Sequence, residues 1–398
     1  MKSILLAPNP TGTGHNMRML GVGTELSKSN NVTVLLGSRQ DIFSPLFEKV
    51  GINVIDLSPT GVVDYSKGSH LDINLNWLSM ITNYFVPTFF NGDKILKYID
   101  LINQNKPDLL ISDYNINAQI AAIICGVKNI FITERHTFTL VDIQLDDLIE
   151  GGFEVNTSEM LSAKDNLRIL FNWILKNTNL IITDKVLLPE FDEQEIIDNE
   201  KIHFVGSIYT KREHNHKSVE NFNYQDEYII GTVSNTTMIE EDRRKNIQVY
   251  LESFKLLKQK NPRLKLVLLG DLEIESDIAD VISLPYVPDW KKLIQNAKLL
   301  ISHPGWISVT EVAYLKIPTI FYLPSFMEYH EVEAYKRLEF LGLPVFVGDD
   351  CSRFSSLIQD IFEKNWDKRI EEGYKILNPN QDGLKNTIQL IHKVLDEN

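Results

Sequence analysis

Two groups of residues in this chain have the types and spacing to do chemistry. The first is Thr11-Gly12-Thr13-Gly14-His15-Asn16-Met17-Arg18, soon after the apolar run 3–7. Glycine adopts backbone conformations that other residues resist, so Gly12 and Gly14 permit a tight turn. A histidine titrates near pH ~6.5, so His15 can take a proton from a hydroxyl close to neutrality. Such a base needs an acid behind it, to hold the tautomer and stabilise the imidazolium. Asp113, at the end of the apolar run 108–112, is the candidate. The alternative is local: His15 as a helix-capping loop residue and Asp113 as the N-cap of the next helix.

The second group is denser. It comprises Tyr286-Val287-Pro288-Asp289-Trp290 and then His303-Pro304-Gly305-Trp306-Ile307-Ser308-Val309-Thr310-Glu311. The pattern is a strand, a glycine turn and a helix. His303 stands at the strand end, and Gly305 lets the backbone approach a ligand. Ser308 and the open N–H groups of the first helical turn can bind a phosphate, helped by the helix dipole. Glu311, about one turn further on, can accept from the two hydroxyls of a ribose. Tyr286 and Trp290 can supply a stacking face for a base. Core aromatics at an ordinary helix start would explain any one of these residues, but explain the ordered set poorly.

The elements that must position these groups read as alternating strands and helices. Apolar runs at 3–7, 32–36, 52–57, 108–112, 129–133, 179–183 and 202–205 predict buried strands, with helices over about 17–28 and 115–125. The pattern restarts at 228–233, 264–269, 281–284, 298–302 and 318–323, with helices over about 240–260 and 305–316. Such alternation predicts parallel sheets with helices on both faces. Ligands bind at the carboxyl ends of such strands. The G-x-G is not the dinucleotide fingerprint, because Met17 stands where the third glycine belongs. The expected organisation is an N-terminal domain over 1–208, a polar linker over 209–226 and a second domain over 227–380. A helix over 381–398 would complete it, packing back on the N-terminal domain.

Composition narrows the function classes. At 398 residues, two domains are expected at roughly 150 residues each. The net charge of −14 argues against a broad nucleic-acid footprint, which needs clustered Lys and Arg. Two cysteines, Cys125 and Cys351, make a disulfide framework or structural zinc site an unsuitable reading. No run reaches the ~18 apolar residues of a membrane span. A cytoplasmic protein is expected. The aromatics of 77–102, Phe89 and Phe90 among them, suit core packing, a hydrophobic acceptor wall or a membrane-docking patch.

The C-terminal group resembles the donor-binding signature of inverting nucleotide-sugar glycosyltransferases with two Rossmann-like domains, the GT-B fold. Their pattern is W-x-P-Q, then H-x-G-W-N-S-x-x-E, G-x-P, and P followed by D/E-Q. This chain has Y-V-P-D, H-P-G-W-I-S-V-T-E, K-I-P and Pro324 followed by Met327-Glu328-Tyr329-His330-Glu331. Asp289, Ile307 and Tyr329 depart from the pattern. The segment G-x-G-H-x-x-R is similar to the family's acceptor-side loop, and 106–113 to its P-D-x-x-I-x-D. Relatives in style are natural-product glycosyltransferases, UDP-glycosyltransferases and the lipid-linked N-acetylglucosaminyltransferase of cell-wall synthesis.

The resemblance implies an α/β protein with two parallel sheets facing a central cleft. It makes His15 the general base for an acceptor hydroxyl, with Gly14 beside it and Asp113 behind it. Tyr286 and Val287 would meet a uracil-like base. His303, Gly305, Trp306, Ser308 and the loop residues Ser234 and Asn235 would surround the diphosphate. Glu311 would bind the ribose, and Glu328, or His330 and Glu331 in a shifted register, the sugar. The implied donor is a UDP-sugar and the acceptor a sugar, lipid or small molecule. No metal or other cofactor is expected, since the helix terminus and His303 supply the electrostatic role. A sugar-nucleotide epimerase on the same fold and an inactive partner subunit are the alternatives.

Overall fold

A computed structural model describes residues 1–10, 13–37, 40, 43–57, 89–133, 144–209, 222–233, 240–270, 278–285, 290–326, 329–364, 366–378 and 382–397. The chain divides into two compact units. One holds Met1–Thr210, Met327–Glu333 and Asn380–Asn398; the other holds Lys211–Phe326 and Ala334–Pro379.

The strands of the first unit are β1 (Ser3–Pro8), β2 (Asn31–Leu36), β3 (Asn53–Asp56), β4 (Leu109–Asp113), β5 (Asn129–Ile132), β6 (Leu180–Thr183) and β7 (Ile202–Phe204). They form one parallel sheet in the order β3-β2-β1-β4-β5-β6-β7. β1 and β4 are apolar and buried almost throughout, as a strand covered by helices on both faces must be. Each fully buried Leu or Ile there contributes roughly 1.5–3 kcal/mol relative to exposure. The strand order reverses between β1 and β4, where Pro8 is in register with Asp113.

The helices over the same stretch are α1 (Thr13–Leu26), α2 (Ser44–Lys49), α3 (Gly92–Asn105), α4 (Ile116–Ile124), α5 (Leu145–Glu150), α6 (Thr157–Asn177) and α7 (Gln194–Ile197). α1 begins at Thr13 rather than near Met17, so Gly14 and His15 are helical and not part of a turn. Met17, Met19, Leu20, Val22 and Leu26 of α1 pack into the core with Ile4, Val34 and Ile130.

In the second unit the strands are β8 (Tyr228–Thr232), β9 (Lys265–Leu269), β10 (Val281–Leu284), β11 (Leu299–Ser302), β12 (Thr319–Leu323) and β13 (Val345–Val347). They too are parallel, ordered β10-β9-β8-β11-β12-β13, with a reversal between β8 and β11. The helices from residue 240 onward, not all of them in this unit, are α8 (Glu240–Lys260), α9 (Lys291–Asn296), α10 (Trp306–Leu315), α11 (Tyr329–Phe340), α12 (Cys351–Glu363), α13 (Asp367–Leu377) and α14 (Gly383–Asp396).

α14 belongs to the first unit. Asp382 caps it by accepting from the Lys385 N–H at 3.0 Å. Ile391, Val394 and Leu395 join the core of Ile4 and Val34. Gly383 is required there, because a Cβ would overlap the Ser207 carbonyl oxygen. Two boundaries differ from the sequence expectation. Residues 327–333 group with the first unit. The last residues of the expected linker are built into the second: Asp226 pairs with Lys265 at 2.6 Å, and the Phe222 ring meets Tyr228 edge-on at 5.0 Å.

Candidate active site

His15 and Arg18 lie three residues apart on α1, so both side chains project from one helix face. β4, the strand beside β1, brings Asp113 to that face. His15 Nδ1 is 2.8 Å from Asp113 Oδ1. An ionised carboxylate only accepts, so this pairing puts a proton on Nδ1 and leaves the lone pair on Nε2. The His15 side chain keeps 12% of its surface exposed, while Asp113 keeps none. The local alternative gives way here: Asn115, not Asp113, caps α4, accepting from the Ala118 N–H.

Arg18 is 1% exposed and holds Asp113 in a fork. Its Nε donates to Oδ2 at 2.8 Å and its Nη2 to Oδ1 at 2.6 Å. Its Nη1 donates to Asp184 Oδ2 at 2.8 Å. Burial pushes the Asp113 carboxyl up, but the Arg18 charge and the facing His15 outweigh it and hold the group below the usual carboxylate range. Asp184 is not among the site residues expected from the sequence. The available signal was its position just past the carboxyl end of β6, matching that of Asp113 on β4.

Tyr114 follows Asp113 and takes a left-handed backbone, φ 48°. Its N–H donates to Ile132 O and its carbonyl accepts from Asn9 Nδ2, which fixes this costly conformation from both sides. Its ring lies nearly parallel to the His15 ring, with centroids 6.4 Å apart. Phe89 meets Tyr114 edge-on at 5.6 Å and is 3% exposed. At Phe89, then, core packing holds and a membrane-docking role does not. Residues 77–88 lie outside the described residues.

In the second unit, β11 leads into His303 and Gly305 is the N-cap of α10. Glycine has no side chain to cap the first N–H groups, and a Cβ there would meet only His303 Nδ1, at 4.0 Å. A bare stretch of backbone edged by an imidazole therefore lies at the carboxyl end of the sheet, beside the reversal between β8 and β11. Ser308 sits in the first turn of α10, half-buried, and Trp306 is buried. Glu311 is 8% exposed, and its Oε1 accepts from Trp290 Nε1 at 3.1 Å. Trp290 was expected to stack; its N–H also orients the Glu311 carboxylate. Glu331 is 7% exposed in the first turn of α11. Ser234, Asn235, Tyr286, Val287 and Glu328 lie outside the described residues, as does the side chain of His330.

The structure thus gathers His15, Asp113 and Arg18 at one strand-order reversal, and His303, Gly305, Trp306 and Ser308 at the other. Among the described residues, no helix is long and apolar enough to cross a membrane.

Residues 232–368 match the glycosyltransferase family 28 C-terminal domain. No curated protein matches the sequence. Solved structures do match the fold. The glycotransferase of kitacinnamycin is 13% identical, with a TM-score of 0.67 and 99% of each chain covered. A spinosyn rhamnosyltransferase complexed with thymidine diphosphate is 10% identical, with a TM-score of 0.62, covering 98% of this chain and 100% of that one. A putative UDP-N-acetylglucosamine 2-epimerase from Listeria monocytogenes is 12% identical, with a TM-score of 0.62, covering 100% and 97%. These neighbours establish a GT-B fold. With the family 28 domain, the chain is a glycosyltransferase.

Proposed function

We propose, with the glycosyltransferase family 28 C-terminal domain at 232–368 as the premise, that this chain transfers a sugar from a UDP-sugar to an acceptor hydroxyl with inversion. The acceptor is a sugar, lipid or small molecule; a lipid acceptor would bring the protein to a membrane surface. The proposed location is the cytoplasm. The observation that carries the reading is the His15–Asp113 contact at 2.8 Å, which points the basic Nε2 of the imidazole away from its acid.

In this reading His15 Nε2 takes the acceptor proton and Asp113 stabilises the imidazolium. The freed oxygen forms a bond to the anomeric carbon as the bond to the nucleoside diphosphate breaks on the opposite face. Ser308 and the first-turn N–H groups of α10 hold the leaving phosphates, with His303 beside them. Glu311 accepts from the ribose hydroxyls. Tyr286 and Val287 meet the base, Ser234 and Asn235 approach the phosphates, and Glu328, His330 and Glu331 contact the sugar. Gly14, which has no side chain, stands beside His15. The leaving charge is answered by protein groups, so no metal is invoked.

A thermal-shift screen of uridine and thymidine diphosphates and their sugars tests the donor class; the spinosyn enzyme's thymidine diphosphate puts that base in the panel. A donor at 100 Kd stabilises by about 2.7 kcal/mol. No shift with any nucleotide would remove the reading. The Listeria neighbour motivates a second one, an epimerase, which would convert the sugar nucleotide with no acceptor present.

A further inference from the structure

The Arg18 guanidinium sits between two carboxylates. It forks onto Asp113 at 2.6 and 2.8 Å and reaches Asp184 at 2.8 Å, with Arg18 and Asp184 almost wholly buried. A histidine–aspartate pair alone would give the imidazole a full negative charge to lean on. Here the fork answers that charge, and Asp184 supplies a second. The groups around His15 include Asp113 on β4, Arg18 on its own helix and the Tyr114 ring, with Asp184, past β6, joined through Arg18. Lys185, next to Asp184, is paired with Glu333 on α11 at 3.0 Å, so its charge is met locally. Two carboxylates and one guanidinium leave one net negative charge, and protonating His15 brings the quartet to neutrality.

We propose that Arg18 and Asp184 are positioning residues that set the basicity of His15. Arg18 fixes the Asp113 carboxylate in the plane that meets Nδ1, and restrains the basicity that two carboxylates would otherwise confer. Asp184 restores enough negative charge for the imidazolium to form in a buried site. The inference rests on the reading of His15 as the general base, but its readout does not. Removing Asp184 makes protonation create a net positive charge in the site. Removing the Arg18 charge leaves two carboxylates facing the imidazole. The two changes therefore act in opposite directions.

The test is a proton NMR titration of the full chain, labelled at histidine, over roughly pH 5 to 9. The His15 signal is identified by its loss in His15→Gln. Asp184→Asn is expected to lower the His15 midpoint by about one pH unit, and Arg18→Met to raise it by about one unit. Arg18→Lys keeps the charge and is expected to move it less than either. Unchanged midpoints in Asp184→Asn and Arg18→Met, or shifts in the same direction, would overturn the proposal. If Arg18→Met does not fold, the pair Asp184→Asn and Arg18→Lys decides: a fall in the first with a small change in the second supports it, and any other pattern overturns it. No donor or acceptor is present, so a chain that transfers no sugar can still show the opposed shifts. A chain that transfers sugar with unmoved midpoints removes this inference alone.

Discussion

His15 Nδ1 lies 2.8 Å from Asp113 Oδ1 across 98 positions of sequence. Strand order explains the meeting: β1 and β4 are neighbours at the reversal of the sheet, with Pro8 in register with Asp113. An imidazole and a carboxylate are thus assembled at the edge where ligands of such sheets bind.

Replacing the base should cost rate and spare binding. General-base catalysis typically supplies 10²–10⁴-fold, so His15→Ala is expected to lower transfer by roughly that factor. Calorimetry should find nucleotide affinity nearly unchanged. A variant with full activity would exclude His15 from the role.

Asp113 links the site to acid stability. Its carboxyl is held below the ordinary value, so its stabilisation is fully present above the unfolded-state pKa, near 3.8, and is lost as pH falls through the lower folded value. Urea midpoints measured from neutral pH into the acid range should fall less steeply for Asp113→Asn. At neutral pH that variant should be less stable, by less than the about 3–5 kcal/mol of a fully stranded buried charge, because Asp184 still pairs with Arg18.

Glu311 and Trp290 separate contact from orientation. Glu311→Ala loses hydrogen bonds worth about 1.5–3 kcal/mol, so uridine diphosphate should bind roughly ten- to a hundredfold more weakly. Trp290→Phe removes only the orienting N–H and is expected to cost about 0.5–1.5 kcal/mol. Equal affinities in titration calorimetry would end the ribose assignment.

Gly383→Ala tests the seat of the C-terminal helix. The added Cβ must displace the Ser207 backbone, which costs about 1–3 kcal/mol. The denaturation midpoint should drop, while the catalytic consequences of His15→Ala remain the same in either background.

Strands are the most legible part of this chain, because a strand buried on both faces is written as a mainly apolar run, as in Tyr228–Thr232 or Leu299–Ser302. β13 is not legible in the sequence, since it has three residues, Val345–Val347, between a proline and a glycine. α6 was hidden because Leu161, Ile169 and Trp173 lie exposed and blur its apolar face. His15 and Asp113 could be read from type and placement. The Arg18–Asp184 contact could not, since the two are 166 positions apart and only the folded sheet joins them.

Stereochemistry tests the catalytic reading most directly. Proton NMR can follow the anomeric signal while the full chain consumes an α-linked UDP-sugar, with a hydroxyl acceptor or with water. The expected first product carries the β configuration, with release of uridine diphosphate and a loss of that release in His15→Ala. A first product that keeps the α configuration, or an isomerised sugar nucleotide with no release, would contradict it.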